Sequence, residues 1–548
     1  MATNLTFPHL FYTSLTKYPN NNALSFVNKK ALTYADVDKE IKTLIQKLNK
    51  FGIKKGDKVA ILSSNMPNWG ISYFAITFMG AVCVPILPDF SKFEIENIIN
   101  HSETQIIFVS KNLYTKIQNI KTEYLKKIIA IEDFSTIKTF VNNNKDIKDY
   151  KFSYDAIPVE NDDLATIIYT SGTTGKSKGV MLTHKNICFT AKKSEKVQPM
   201  TNNDRFLSVL PLSHTYENTL GFILPMATGA SVYYLEKPPT ASVLMPALQA
   251  VKPTVMLTVP LIIEKVYKTK ILPAFNKNNF IKLLYSKSLS RKIFNRIAGK
   301  KLYKTFGGKL KFFGIGGAKL DKHVEKFLYE AKFPYAIGYG LTETSPLLAG
   351  ANPNKVKLES TGPAIEEVKL KIVNKNPKTG EGEIWAKGAN IMKGYYKEPK
   401  LTSEVLTNDG WFKTGDLGYI DKNNYLYIKG RSKNMIIGAS GENIYPEEIE
   451  SVINNFKHVE ESIVINKKGK LTAIVYFNLE EIEKKVITIK KEFTSAIDAK
   501  LEILKNELFI HVNSKVNKFS RVQHIEINKE PFVKTATKKI KKYLYEQQ

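Results

Sequence analysis

From about Leu32 to Tyr339 the chain alternates short, nearly uninterrupted apolar runs with longer amphipathic stretches. Val59-Ala60-Ile61-Leu62, Ile106-Ile107-Phe108-Val109 and Phe312-Phe313-Gly314-Ile315 read as strands covered on both faces. That alternation predicts an α/β fold: a large N-terminal domain of parallel sheets layered with helices. From Val368 to Ile428 the pattern changes to short strands separated by turns, such as Gly382-Glu383-Ile384-Trp385-Ala386, which predicts a small β-rich subdomain. After Arg431 comes a shorter α+β region ending in a lysine-rich tail. The expected division is a domain over 1–430, with the β-rich part at 350–430, and a C-terminal domain over 431–548. The apolar stretch Ile71 to Pro88 barely reaches spanning length and contains Gly80, Pro85 and Pro88, so a buried helix followed by a buried strand is expected there.

Composition changes this picture little, and charge changes it more. The 548 residues are 43% hydrophobic and 11% aromatic, as in a globular protein. Cys83 and Cys188 stand in apolar settings without partner spacing, which predicts buried thiols in a reducing compartment. The first residues lack the basic flank and apolar core of a signal peptide, so a cytoplasmic location is expected. The net charge of +29 is compatible with anionic partners or with lysine-rich drift. No nucleic-acid motif accompanies it, and no nucleic acid is expected as partner. No Asp or Glu occurs between Glu264 and Asp321, where basic residues mix with Phe280, Ile281, Leu283, Leu284, Tyr285, Ile293 and Phe294. Segment 265–320 therefore reads either as a patch for the inner face of an anionic membrane or as a solvated helix face. Oligomeric state leaves no mark in the sequence.

The densest chemistry lies at Tyr169 to Gly179, YTSGTTGKSKG, after the apolar run Thr166-Ile167-Ile168. Glycines let backbone approach anionic oxygens, hydroxyls donate to them, and Lys176 and Lys178 supply charge, so the loop suits a phosphate chain. A helix-like stretch from Val180 to Ala191 is expected to follow it. The spacing is not that of a Walker loop, because Thr170 stands where the first glycine is needed.

Further segments are ambiguous when taken singly. Gly338-Tyr339-Gly340-Leu341-Thr342-Glu343 groups an aromatic ring, a hydroxyl and a carboxylate suited to Mg²⁺, or it is a capped helix start. Gly316-Gly317-Ala318 leaves room for a flat ring, or makes a tight turn. Asp416 can accept from ribose hydroxyls, or serve turn chemistry. Arg431, Lys433, the loop Ser440-Gly441-Glu442 and the tail Lys534 to Lys542 each have a plain surface alternative. His214, in Leu210-Pro211-Leu212-Ser213-His214-Thr215-Tyr216-Glu217, reads by itself as a core histidine.

In this order and spacing the segments resemble the adenylate-forming superfamily over nearly the whole chain, and bacterial long-chain fatty-acid–CoA ligases in particular. The resemblance implies an AMP-forming ligase that takes ATP, a long-chain fatty acid and CoA, with Mg²⁺ as cofactor. It implies that Thr170, Ser171, Gly172, Thr173, Thr174 and Lys178 hold the phosphates, with Thr170 and Glu343 near Mg²⁺. Adenine would lie between Gly316-Gly317-Ala318 and Tyr339, Gly340 and Thr342 would also contact the nucleotide, and Asp416 and Arg431 would grip the ribose. Lys539 would drive adenylation, with Lys538 as the alternative, and Lys433 would be the hinge of a mobile C-terminal domain. Ser440, Gly441 and Glu442 would flank the path of CoA, and His214 the acyl site. Lys538 and Asn434 depart from the commoner residues at their positions. Acyl carrier protein as acceptor, another carboxylic acid, and a membrane-bound acyl-binding protein without turnover are the alternatives.

Overall fold

The computed structural model of the chain describes residues 4–140, 152–154, 159–171, 177–276, 278–437, 443–467, 469–479, 493–535 and 539–546. Gly172, Thr173, Thr174, Lys176, Ser440, Gly441, Glu442 and Lys538, all named above, lie outside the described residues.

Two eight-stranded sheets form the N-terminal part. One has its centre at Phe312–Ile315, Val255–Thr258 and Arg205–Ser208, and the other at Val82–Ile86, Lys58–Leu62 and Thr104–Val109. Their central pairings are parallel. The edges are antiparallel, so the sheets are mixed where parallel ones are expected from the sequence. Side chains alternate between faces along each strand. Val59 and Ile61 enter one apolar cluster while Ala60 and Leu62 enter another. Val255 and Leu257 likewise face away from Met256. Three apolar layers result: one shared between the sheets and one outside each, which is why these strands read as continuous apolar runs.

Ile71 to Pro88 divides, as expected, into the helix Pro67–Phe78 and the strand Val82–Ile86, with Trp69, Tyr73, Phe74 and Phe78 buried. Among the described residues no helix is long and apolar enough to cross a membrane. Cys83 and Cys188 are buried free thiols.

The β-rich region is a four-stranded antiparallel sheet of Lys369–Val373, Gly382–Lys387, Phe412–Ile420 and Leu426–Arg431. Ile384, Ala386, Phe412 and Leu426 join the apolar layer between the large sheets. Beyond it, the strands Val459–Lys467, Lys470–Phe477 and His524–Asn528 pack with the helix Phe493–Lys515 around a separate small core that includes Leu504, Leu508 and Val512.

One local expectation is corrected. Val180-Met181-Leu182 is not helical; it belongs to the strand Ser177–Thr183, antiparallel to Leu164–Ser171, and the helix begins only at His184–Val197. Val180 and Leu182 face one apolar layer and Met181 the other. A run apolar on both faces carries no helical or strand period to tell the two apart. The helix start is set by Thr183, whose hydroxyl accepts from the Asn186 amide while the Asn186 side chain accepts from the Thr183 amide.

Candidate active site

The hydroxyl- and glycine-rich loop joins two strands of a hairpin, and antiparallel pairing sets Thr170 opposite Lys178 at its mouth. Both residues are half-buried. The Lys178 ammonium lies 5.5 Å from the centre of the Tyr395 ring. Tyr395 arrives on the two-residue strand Gly394–Tyr395, which pairs with Met181 and Val180. Its hydroxyl donates to Oε1 of Glu343 at 2.9 Å. Burial, reinforced by Glu343, holds that phenol far above its ordinary pKa, so it stays a donor.

Glu343 sits in the 3₁₀ turn Thr342–Thr344, which follows the strand Tyr335–Gly340. Gly340 is required there because a Cβ would lie 1.8 Å from the Pro346 carbonyl oxygen. The turn is held by the side-chain amide of Asn390, which donates to the Thr344 and Leu347 carbonyls at 3.1 and 2.9 Å. The Met392 amide donates to the Glu343 carbonyl at 2.9 Å.

A second group faces this one. The register of the β-rich sheet places Asp416 directly across from Arg431, whose Nε is 2.7 Å from Oδ1. The Tyr339 hydroxyl donates to the other oxygen, Oδ2, at 2.7 Å. Burial pushes the Asp416 carboxyl above the ordinary value, while Arg431, Tyr339 and Lys539 oppose that shift. Lys539 is exposed as a residue. Burial of its ammonium end, helped by Arg431, nevertheless lowers its pKa, against the pull of Asp416 and Glu343. Its backbone closes a tight loop, with the Thr535 amide donating to the Lys539 carbonyl at 2.7 Å. His214 is half-buried, and burial with the nearby Lys539 charge lowers its pKa to about 4. A lysine from the C-terminal part thus stands among residues from three other regions of the chain.

Gly316 follows the strand Phe312–Ile315 and lies against the ring of Tyr216, only 3.2 Å from where a Cβ would stand. Gly317 and Ala318 are exposed. Tyr339, by contrast, is buried to 9% exposure, with its hydroxyl already engaged by Asp416. Lys433 is exposed in the 3₁₀ turn Ser432–Asn434, between the strand ending at Arg431 and the C-terminal part, and Asn434 donates to Glu447 at 2.7 Å.

Sequence reasoning misses Tyr395 and Tyr216, whose places depend on long-range pairing. It also misses Glu217, whose carboxyl is pushed up to about 8 by burial. Its Oε2 meets no hydrogen-bond partner among the described residues. Its isolation as the one Asp, Glu, Lys or Arg between Arg205 and Glu236 is the available signal.

The donor set suits Mg²⁺. Among the described residues no cluster of three or more His, Cys, Asp or Glu exists to cage a cation. One carboxylate, Glu343, and one hydroxyl residue, Thr170, at the mouth of the hydroxyl- and glycine-rich loop match an ion that keeps water and takes few protein ligands.

The fold and this site define a class. A family model described as AMP-binding enzyme matches residues 11–396, and the chain belongs to that family. Long chain acyl-CoA synthetase 1 of Arabidopsis thaliana is 29% identical over 583 residues, covering 95% of this chain and 87% of that protein. Long-chain-fatty-acid–CoA ligase FadD15 of Mycobacterium bovis is 28% identical, covering 82% of this chain and 78% of its own length. At 28% identity, the chloroplastic long-chain-fatty-acid–[acyl-carrier-protein] ligase AEE15 of Arabidopsis thaliana covers 83% of this chain and 73% of its own length. Among solved structures, o-succinylbenzoate coenzyme A synthetase of Bacillus subtilis, in complex with ATP and magnesium ion, superposes with a TM-score of 0.74. That match is 22% identical and covers 97% of this chain and 98% of the other, so it speaks for the fold.

Proposed function

We propose that the chain activates a long-chain fatty acid with ATP and transfers the acyl group to the thiol of CoA. In the first step a carboxylate oxygen attacks the α-phosphorus of ATP, the α–β bridging P–O bond breaks, and pyrophosphate leaves. In the second the CoA thiolate attacks the acyl carbonyl carbon and AMP departs, giving the thioester. The observation that carries this reading is Lys539, gathered with Asp416, Arg431 and Glu343 and close enough for their charges to act on one another.

Carboxylate and triphosphate repel, so the first barrier is largely electrostatic. Lys539 supplies positive charge where the acyl and α-phosphate oxygens meet, and Lys178 supplies it at the phosphate loop. Asp416, held by Arg431 at one oxygen and Tyr339 at the other, accepts from the ribose hydroxyls. Glu343 and Thr170 would hold Mg²⁺, which would neutralise phosphate charge when bound. Lys433 is the hinge about which the C-terminal domain, taken as 431–548, withdraws Lys539 so that CoA can reach the adenylate.

The fatty acid and CoA are supported by what the relatives from Arabidopsis thaliana and Mycobacterium bovis are named for. A carrier-protein acceptor is the second reading, favoured by the similarity to AEE15. The test is product identification after incubation with ATP, Mg²⁺, palmitate and either CoA or acyl carrier protein. A CoA thioester supports the first reading. A thioester on the carrier alone moves the assignment to the second.

A further inference from the structure

The helices Asn279–Ser286 and Ser288–Thr305 turn large apolar side chains outward. Leu289, Ile293 and Ile297 recur every four residues on one face of the longer helix and are 76%, 55% and 62% exposed. Phe280 and Leu283 on the shorter helix add 68% and 60%. The face turned toward the protein sets polar and small residues beside apolar ones such as Leu302 and Phe294. Asn295 is buried and donates to Glu330 at 2.7 Å, Arg291 pairs with the same carboxylate at 2.9 Å, and Gly299 is buried against Ala331 with no room for a Cβ. Ile281, Leu284, Tyr285 and Phe294, grouped with these residues on sequence grounds, are only half-exposed, and Tyr285 and Phe294 pack on Phe275.

Charge flanks the apolar stripe. Lys292, Arg296 and Lys300 repeat with the same four-residue spacing one position from it, and Lys282 and Lys287 are exposed nearby. None of the five has an ion-pair partner among the described residues, whereas Arg291, which points inward, has one. A solvated face would not hold an apolar stripe in water, and a purely electrostatic one would not need it.

We propose that this face docks on an anionic lipid bilayer, the apolar stripe entering the headgroup–acyl boundary and the basic row lying against lipid phosphates. A bilayer is favoured over a protein partner because the whole segment from Lys265 to Leu320 carries no acid that a partner's basic residues would meet. The proposal does not depend on which acid is activated.

The experiment is co-sedimentation of the full chain with vesicles of phosphatidylcholine alone or with 30% phosphatidylglycerol. Two variants are compared with wild type: Leu289→Ser/Ile293→Ser/Ile297→Ser and Lys292→Gln/Arg296→Gln/Lys300→Gln. The expected result is binding to the anionic vesicles that falls at least tenfold in either variant and weakens with salt. Both variants should keep wild-type melting temperature, since every altered side chain is exposed. Equal binding by wild type and both variants would overturn the proposal, as would binding that ignores lipid charge. Light scattering that shows a wild-type dimer dispersed by the serine variant, without vesicle binding, would reassign the face to a second copy of the chain.

Discussion

Replacing Lys539 by alanine removes one charge from a cluster that otherwise holds Arg431 against Asp416 and Glu343. Arg431 is already committed at 2.7 Å to Asp416, so it cannot swing to take the lost place without unpairing a buried carboxylate. Loss of one preorganised charge donor at a reacting centre costs about 2–4 kcal/mol, or roughly 30- to 1,000-fold in rate. The loss should fall on adenylation alone, read as acid-dependent ATP–pyrophosphate exchange. Thioester formation from chemically prepared acyl-AMP and CoA should stay within about threefold of wild type, since the hinge reading removes this lysine from the site in that step.

The pH dependence gives an independent check. Burial depresses the Lys539 pKa below 10.5, and only the protonated amine carries the charge. Adenylation should therefore decline as pH rises through a value lower than an ordinary lysine's. Arginine stays protonated at any such pH, so whatever exchange Lys539→Arg retains should lack that alkaline decline. An alanine variant equally slow in both half-reactions, or an alkaline decline that persists in the arginine variant, would refute the role given to Lys539.

Other outcomes follow from the same geometry. Tyr339→Phe removes a 2.7 Å donor to a buried carboxylate and should weaken ATP binding by up to about 1.5–3 kcal/mol. Because that hydroxyl holds the raised Asp416 pKa down, the acid-side loss of ATP binding should move to higher pH, visible in KM for ATP. An unchanged KM and acid limb would remove the pair from the nucleotide site. Glu343→Gln should raise the Mg²⁺ concentration that half-saturates exchange, and an unaltered Mg²⁺ titration would argue against Glu343 as its ligand. Lys433→Pro should impair thioester formation more than adenylation in single-turnover assays, and equal loss would place the pivot elsewhere.

Much of this molecule is legible in its sequence, for identifiable reasons. Strands such as Val59 to Leu62 are covered on both faces, and an uninterrupted apolar run records that directly. The same property hides the strand at Val180 to Leu182, where covering both faces erases the alternation that separates strand from helix. Asp416 and Arg431 are nearby in sequence, and a hairpin register brings them opposite one another. Tyr395 meets Glu343 only because a two-residue strand pairs with Met181 and Val180, more than two hundred residues earlier, and no local pattern encodes that. Gly340 is visible as a motif residue, but its reason, the Pro346 carbonyl beside it, is a contact made by folding. The exposed stripe at Leu289, Ile293 and Ile297 is similar. Its period is plain in the sequence, yet a helical period does not say which face turns outward.

Acid-dependent ATP–pyrophosphate exchange, run with the full chain and Mg²⁺ over acids from acetate to oleate, decides whether Lys539 drives the activation of a long-chain acid. Exchange should rise with chain length, be strongest with long-chain acids, and fall roughly 30- to 1,000-fold in Lys539→Ala. No exchange with any acid, or exchange indifferent to Lys539, would contradict that role.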